Sequence, residues 1–364
     1  QKPLQLPRHG AAVRPRLSLP RWQNDCPLRS HHHRSTQKAS QPNPADCEND
    51  LPPTVVTALS SRQHVSMASV DMTALSARSA AWVARVAWIV VAVFGGAALQ
   101  GAVDSRSDAV RWTAAIGGWA PWGAVMLALA IPSVRSLTIA RVVAPLALLA
   151  TIGAVVGGAE AIEVAALALP AGIALFAIFT ADFGRQFVQA SSYGDEERFP
   201  LRFPVAAGTA AIVTWAMWAP SIVFGPLLLA AKSYVFGGLL SAVGLAGLIL
   251  VIPRWHRFSR RWLVLVPAGL VVHDPVVLAD TLMVRSDQLG GMRLAPADTE
   301  AADLTGPASG YALEVQALET VTTVFAFTPQ DPGGKAIHMT GFLISPSRPG
   351  EALATAAARG IPLL

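Results

Sequence analysis

Long apolar stretches dominate the chain between residues 82 and 252. Six of them are long enough for a bilayer core of about 30 Å, which needs roughly 20 apolar residues in a helix. They run approximately over 83–103, 112–131, 142–158, 161–180, 205–229 and 233–252. The pattern therefore predicts six transmembrane helices, the third of which extends into Ser136–Ala140.

The pattern changes after Ile252. Short β-rich runs replace the long apolar stretches, at Trp262–Val266, Leu270–His273, Thr281–Arg285, Tyr311–Val315, Val321–Phe327 and Ile337–Ile344. The composition of Leu294–Ser309 predicts a loop. Arg348–Arg359 predicts a helix, with Pro349 in its first turn and Gly360 after its end. We therefore predict a membrane domain over 67–261, followed by a small α+β domain over 262–364 with an antiparallel sheet and a C-terminal helix.

Residues 1–66 have no apolar periodicity and many prolines, which predicts disorder. They hold nine Lys/Arg and four Asp/Glu, so the net charge of +5 of the whole chain lies here. The first methionine, Met67, directly precedes the membrane pattern. Two interpretations stay open: the segment is upstream sequence outside the native protein, or it is a trimmed tail.

Composition narrows the class of protein. Hydrophobic residues make up 52% of the chain and charged residues 14%, with a mean hydropathy of +0.45, whereas a soluble domain has about 25% charged residues. This excludes an ordinary cytosolic enzyme. Residues 67–364 carry equal numbers of basic and acidic side chains, so no nucleic-acid partner is predicted. Both cysteines, Cys26 and Cys47, lie before Met67.

Basic residues between the predicted spans set the orientation, because cytoplasmic loops are enriched in Lys and Arg. A cytoplasmic N-terminus leaves three basic residues outside, namely Arg106, Arg111 and Lys232. It places eleven inside: Arg78, Arg85, Arg135, Arg141, Arg185, Arg198, Arg202, Arg254, Arg257, Arg260 and Arg261. We therefore predict that both termini are cytoplasmic.

Few ionisable residues accompany the spans. Glu160 and Glu163 begin the fourth span at its outer end and share a helical face, and Asp182 follows its cytoplasmic end. Carboxylates within a membrane are candidates for proton coupling. Acids also suit a helix N-terminus electrostatically, which offers a structural explanation for Glu160 and Glu163.

An internal similarity raises the alternative of a secondary transporter. Thr113–Ile116 and Trp119-Ala120 in the second span recur as Thr209–Ile212 and Trp215-Ala216 in the fifth. Spans two and five run in opposite directions in the predicted topology, as in a three-plus-three inverted repeat. Chance similarity between Ala-rich helices explains the same observation.

Gly237, Ser241 and Gly244 give the sixth span a small face for close helix packing.

The stretch after the sixth span combines basic and aromatic residues. Arg254, Arg257, Arg260 and Arg261 form a candidate patch for contact with anionic lipid. Their role in fixing the topology is the simpler explanation.

Strands closed by one C-terminal helix after membrane helices resemble the bacterial pleckstrin-homology-like domain. The whole chain, rich in Arg and poor in Lys, resembles uncharacterised polytopic membrane proteins of high-GC actinobacteria, which implies a plasma-membrane location. Residues 262–364 hold five basic and ten acidic side chains, so a protein partner is expected rather than a phosphate. The sequence contains no HExxH, GxSxG, P-loop or GxGxxG motif. We predict no catalytic, cofactor or metal site, and a non-enzymatic scaffold or interaction protein.

Overall fold

Six helices in the described part of the chain are long and apolar enough to cross a membrane. The structure, a computed structural model, describes residues 79–326 and 334–364, which fall within one compact unit, Gln63–Leu364. The candidate spans are Ser79–Val103, Asp108–Ala130, Val134–Gly157, Ala161–Phe179, Val205–Ala230 and Tyr234–Ser259. The predicted number of spans is confirmed, and so is the extension of the third. The predicted disorder of 1–66 concerns residues outside the described ones.

Two of the spans are broken helices. The unbroken ones are α1 (Ser79–Val103), α2 (Asp108–Ala130), α5 (Ala161–Phe179) and α7 (Val205–Ala230). The third span consists of α3 (Val134–Val143) and α4 (Leu146–Gly157), and the sixth of α8 (Tyr234–Leu250) and α9 (Ile252–Ser259). Pro145 separates α3 from α4, because proline has no N–H and its ring clashes with the preceding turn. The indole of Trp215 in α7 donates to the carbonyl of Val142 at this break (2.9 Å).

The outer faces of the spans are apolar and exposed. Between 17 and 33% of the most apolar window of each span is buried within the protein, and Val156, Phe176 and Val235 are each about four-fifths exposed. Such surface is stable where lipid covers it, since water would not solvate it favourably. This pattern is that of a multi-pass membrane protein.

Helices α7 and α8 pack closely through small residues. A methyl group added at Gly244 would lie 2.8 Å from the Cα of Ile222, and one at Gly237 would lie 2.6 Å from the backbone nitrogen of Leu229. A methyl group added at Gly225 on α7 would lie 2.6 Å from the backbone nitrogen of Ser241. The predicted small face of the sixth span is therefore confirmed. The indole of Trp218 adds a hydrogen bond to the carbonyl of Gly244 (2.9 Å).

Residues 262–364 and strand β1 (Glu197–Pro200) form the part of the protein that we call the tail domain, which contains two four-stranded sheets. Strands β1, β2 (Trp262–Val266), β3 (Gly269–His273) and β4 (Leu282–Arg285) form the first, in that order and antiparallel. The second has the order β5-β7-β8-β6, from β5 (Leu289–Leu294), β6 (Ala302–Asp303), β7 (Leu313–Val324) and β8 (Ala336–Ile344). Strand β6 pairs with β8 in parallel, and the other pairs are antiparallel. A C-terminal helix, α10 (Pro349–Ala358), packs against the domain.

Several elements differ from those predicted. Tyr311–Val315 and Val321–Phe327 were predicted as two strands, but one long strand, β7, covers most of both, with a change of register between Gln316 and Val321. The predicted loop Leu294–Ser309 contains the short strand β6. The sequence pattern did not predict β1, β5 or the amphipathic helix α6 (Ala181–Gln189). The two glycines of β5 weaken its strand signal.

We expect Gly244→Ala to lower the stability of the helix bundle. The added methyl group meets the backbone of α7, and such overpacking costs about 1–3 kcal/mol. The measurement is the apparent melting temperature of the purified chain in detergent. Gly238→Ala in the same helix is the matched control, because no atom lies within 4 Å of the added methyl. An equal loss of stability in both variants would contradict the packing argument.

Candidate functional site

The candidate site lies where the tail domain meets one end of the bundle. We call this end the tail side; it comprises the starts of α3 and α7 and the ends of α5 and α9. Strand β1, between α6 and α7, pairs with β2 from Glu197↔Leu265 to Pro200↔Trp262. Phe199 and Leu201 are buried in the core of the tail domain. The chain between the fourth and fifth spans therefore forms part of the tail domain.

A buried ion pair lies at the centre of this junction. The guanidinium of Arg261 donates from Nε and Nη2 to the two carboxylate oxygens of Asp274, at 2.8 and 2.6 Å, and the side chains are 1% and 0% exposed. Arg261 also donates to the carbonyls of Arg202 and Thr305. Asp274 accepts the backbone N–H groups of residues 276 and 277. The pair thus joins four separate segments of the chain.

More exposed ion pairs link α6 to the tail domain. Arg348, before α10, donates to both carboxylate oxygens of Asp182 on α6, at 2.9 and 2.6 Å. Arg185 on α6 pairs with Glu351 on α10 and with Glu197 on β1. Burial lowers the pKa of Arg185, and the carboxylates of Glu197 and Asp182 oppose that shift. These contacts hold α10 and the tail domain against α6.

A cleft of about 490 Å³ lies between the tail domain and the tail side of the bundle. Its walls come from α3, α6, the segment Pro200–Val205, the start of α7 and the end of α9. Apolar side chains from several of these elements line it, with three arginines and no carboxylate among the described lining residues. The arginines are Arg141, Arg202 and Arg261. The site is therefore amphipathic and positively charged.

The three arginines differ in their partners. Asp274 neutralises Arg261. Arg202 donates to the backbone carbonyls of Ser309 and Tyr311 (3.1 and 3.4 Å) and has no carboxylate partner among the described residues. Arg141 has one long hydrogen bond, from Nε to the carbonyl of Ile178 (3.4 Å). In the described part of the chain, neither Nη atom of Arg141 has a hydrogen-bond or ion-pair partner.

The carboxylates predicted for proton coupling do not come together. Glu160 is exposed and precedes α5, at the end of the bundle opposite the tail side. Glu163 lies in the first turn of α5, close to Gly101 near the end of α1. Asp182 lies outside the spans, on α6, where it pairs with Arg348. The structure therefore places Glu160 and Glu163 at one end of the bundle and Asp182 at the other.

Three of the four residues of the predicted lipid-contact patch are exposed, and one is buried. Arg254, Arg257 and Arg260 are exposed at the end of the sixth span, where α9 turns its Trp255 inward. Arg261 was expected in the same patch, but it is buried in its pair with Asp274 and faces no lipid. The reason is that β2 begins at the next residue and draws Arg261 into the tail domain.

Sequence reasoning missed the residues that define the cleft. Arg141 counted only as a topology signal, because Phe179 and Gly184, which lie beside its guanidinium, are 38 and 43 positions away. Sequence analysis assigned no role to Asp274, the partner of Arg261 at the junction. No local pattern marks either residue, since their partners come from distant segments.

The described residues contain no group of three or more His, Cys, Asp or Glu that could hold a metal ion. Comparison with models of protein families, with curated proteins and with solved structures found no match.

We expect Arg261→Met to destabilise the junction strongly. The change leaves the carboxylate of Asp274 buried without its counter-charge, and breaking a buried pair in this way costs about 3–5 kcal/mol. The measurements are the melting temperature and the rate of limited proteolysis of the tail domain in the purified full chain. Arg285→Met breaks the Arg285–Asp287 pair, whose side chains are about two-thirds exposed, and should cost about 0–1 kcal/mol. Equal effects of the two variants would refute a structural role for the buried pair.

Proposed function

We propose that the protein is a multi-pass plasma-membrane protein with a non-enzymatic role, in which a cytoplasmic tail domain presents a binding surface for another protein. Both termini are cytoplasmic in this proposal, since that orientation leaves eleven basic residues inside and three outside. The pleckstrin-homology-like character of the tail domain and the resemblance to actinobacterial membrane proteins belong to the same proposal.

The observation that carries the proposal is the way the tail domain is attached. Strand β1, from the connection between the fourth and fifth spans, completes the first sheet of the tail domain. Arg261, directly after the sixth span, binds Asp274 of the tail domain, and Arg348 of the tail domain binds Asp182 on α6. A domain held at so many points keeps a defined orientation relative to the membrane. Such an arrangement suits the presentation of a surface to a partner, rather than capture of a partner by a domain on a flexible tether.

The chemistry of the exposed surface indicates the kind of partner. Asp280, Asp298, Glu300 and Glu319 are exposed on the tail domain, and the apolar side chains of Leu294 and Leu318 are exposed as well (52 and 69%). Exposed acidic groups and exposed apolar side chains on one domain complement a basic, partly apolar protein surface. A partner of that chemistry is therefore part of the proposal.

The alternative of a secondary transporter has less support. Glu160 and Glu163 lie at the end of the bundle away from the described cleft, and Asp182 is held by Arg348. The cleft itself lies at the tail side, whereas transporter sites lie near the middle of the bilayer. The geometry therefore favours the interaction protein.

The topology is tested with single cysteines in a chain whose Cys26 and Cys47 are replaced by serine. We expect Ser105→Cys, on the exposed connection after α1, to react with a membrane-impermeant maleimide on intact cells. Ser286→Cys, exposed in the tail domain, should react only after the cells are permeabilised. The reverse pattern of labelling would invert the proposed orientation.

The interaction role is tested by photo-crosslinking in cells with the full chain. A crosslinking amino acid at Glu300 or Glu319 should give the same discrete protein adduct. Replacing Asp298 by Asn in the crosslinking chain should reduce the adduct several-fold, because a basic partner loses a counter-charge. The control is the crosslinker at Phe176, an exposed residue in the last turn of α5. An adduct equally strong from Phe176, or none from either tail position, would overturn the proposal.

A further inference from the structure

Arg141 lies about two helical turns inside the third span from its tail-side end, and no described residue supplies a counter-charge to it. It lies near the end of α3, and its guanidinium lies between Gly184 of α6 and the ring of Phe179, with Cζ 5.9 Å from the ring centroid. Withdrawing a cation from water is unfavourable unless an opposite charge or hydrogen bonds replace the lost hydration. The cleft supplies neither to the two Nη atoms from the described residues.

Helix α6 makes room for this guanidinium. Gly184 is buried within α6, and a methyl group added there would lie 2.8 Å from Nη2 of Arg141. The three atoms nearest to that methyl all belong to Arg141. Glycine inside a helix costs about 0.5–1 kcal/mol relative to alanine, so α6 gives up stability at the position that admits the arginine.

A second polar group in the cleft also lacks a partner. The hydroxyl oxygen of Ser347 is buried and has no hydrogen-bond partner among the described residues, and Ser347 lines the cleft together with Arg141 and Arg202. A hydroxyl and two guanidinium groups are all donors to an anion. Arginine presents paired N–H groups that match the oxygens of a phosphate.

The apolar part of the cleft indicates the remainder of the ligand. Leu137, Phe179, Phe203 and Ile212 line the same space, and all of them except Phe203 belong to the candidate spans. A free inorganic anion would leave this surface uncovered, whereas an amphiphile would cover it. We infer that the cleft binds the phosphate group of an anionic membrane phospholipid, with Arg141 as the main contact and the start of the acyl chains against the apolar wall.

This site differs from the exposed patch of Arg254, Arg257 and Arg260. Those side chains attract anionic lipid as separate surface charges. Arg141 instead lies in a cleft with apolar walls, which can select a ligand by its shape. The acidic tail domain does not oppose the binding, because no carboxylate is among the described lining residues of the cleft. The inference does not depend on the proposed protein partner.

The test uses the purified full chain in detergent and native mass spectrometry. The probes are a phosphatidylglycerol, a phosphatidylcholine with the same acyl chains, and inorganic phosphate. We expect phosphatidylglycerol to bind in preference to the other two. Arg141→Gln should weaken its binding at least about tenfold, since a hydrogen bond to a charged group is lost. Arg257→Gln, in the exposed patch, is the matched control and should change it by less than about threefold.

Gly184→Ala provides a second variant that keeps every charge. It should displace the guanidinium of Arg141 and weaken the binding of phosphatidylglycerol, and it decides the question if Arg141→Gln does not fold. Unchanged binding in the folded variants would overturn the inference. So would equal binding of phosphatidylcholine, or binding of inorganic phosphate as tight as that of phosphatidylglycerol, which would assign the cleft to a free anion.

Discussion

The buried pair of Arg261 and Asp274 is the interaction on which the junction between membrane and tail domain depends. Two charges removed from water remain tolerable only when their hydrogen-bonding groups are satisfied. Here the carbonyls of Arg202 and Thr305 and two backbone N–H groups complete the pair. Because these groups come from four segments, the sixth span, the start of the fifth and two tail loops have to fold together.

A related constraint shapes the bundle, since backbone groups within lipid need partners from the protein. Trp88 and Trp122 each donate an indole N–H to the other's backbone carbonyl, which joins α1 to α2. Arg85 donates to the carbonyl of Leu129 near the end of α2. Trp215 does the same at the Pro145 break. Side chains with ring or guanidinium N–H groups thus join helices through backbone carbonyls, in two of these cases at a helix end or a break.

The attachment of the tail domain links its position to that of the spans. Strand β1 continues through Leu201 and Arg202 into α7, and the N–H of Arg202 donates to the carbonyl of Ser345 after β8. This connection also lines the cleft. The cleft and the first sheet of the tail domain therefore share one structural element.

The sequence by itself determined the six spans, the small face of α8 and most strands of the tail domain, because each depends on a local pattern of apolar or small residues. The C-terminal helix followed in the same way from Pro349 and Gly360. Only the tertiary structure decided that β1 joins the tail sheet, that Arg261 is buried and that Arg141 faces a cleft without a counter-charge. The sequence shows an arginine beside a predicted span, but it does not show the arginine's partners. They lie in distant segments, and pairing across such separations depends on how the chain packs.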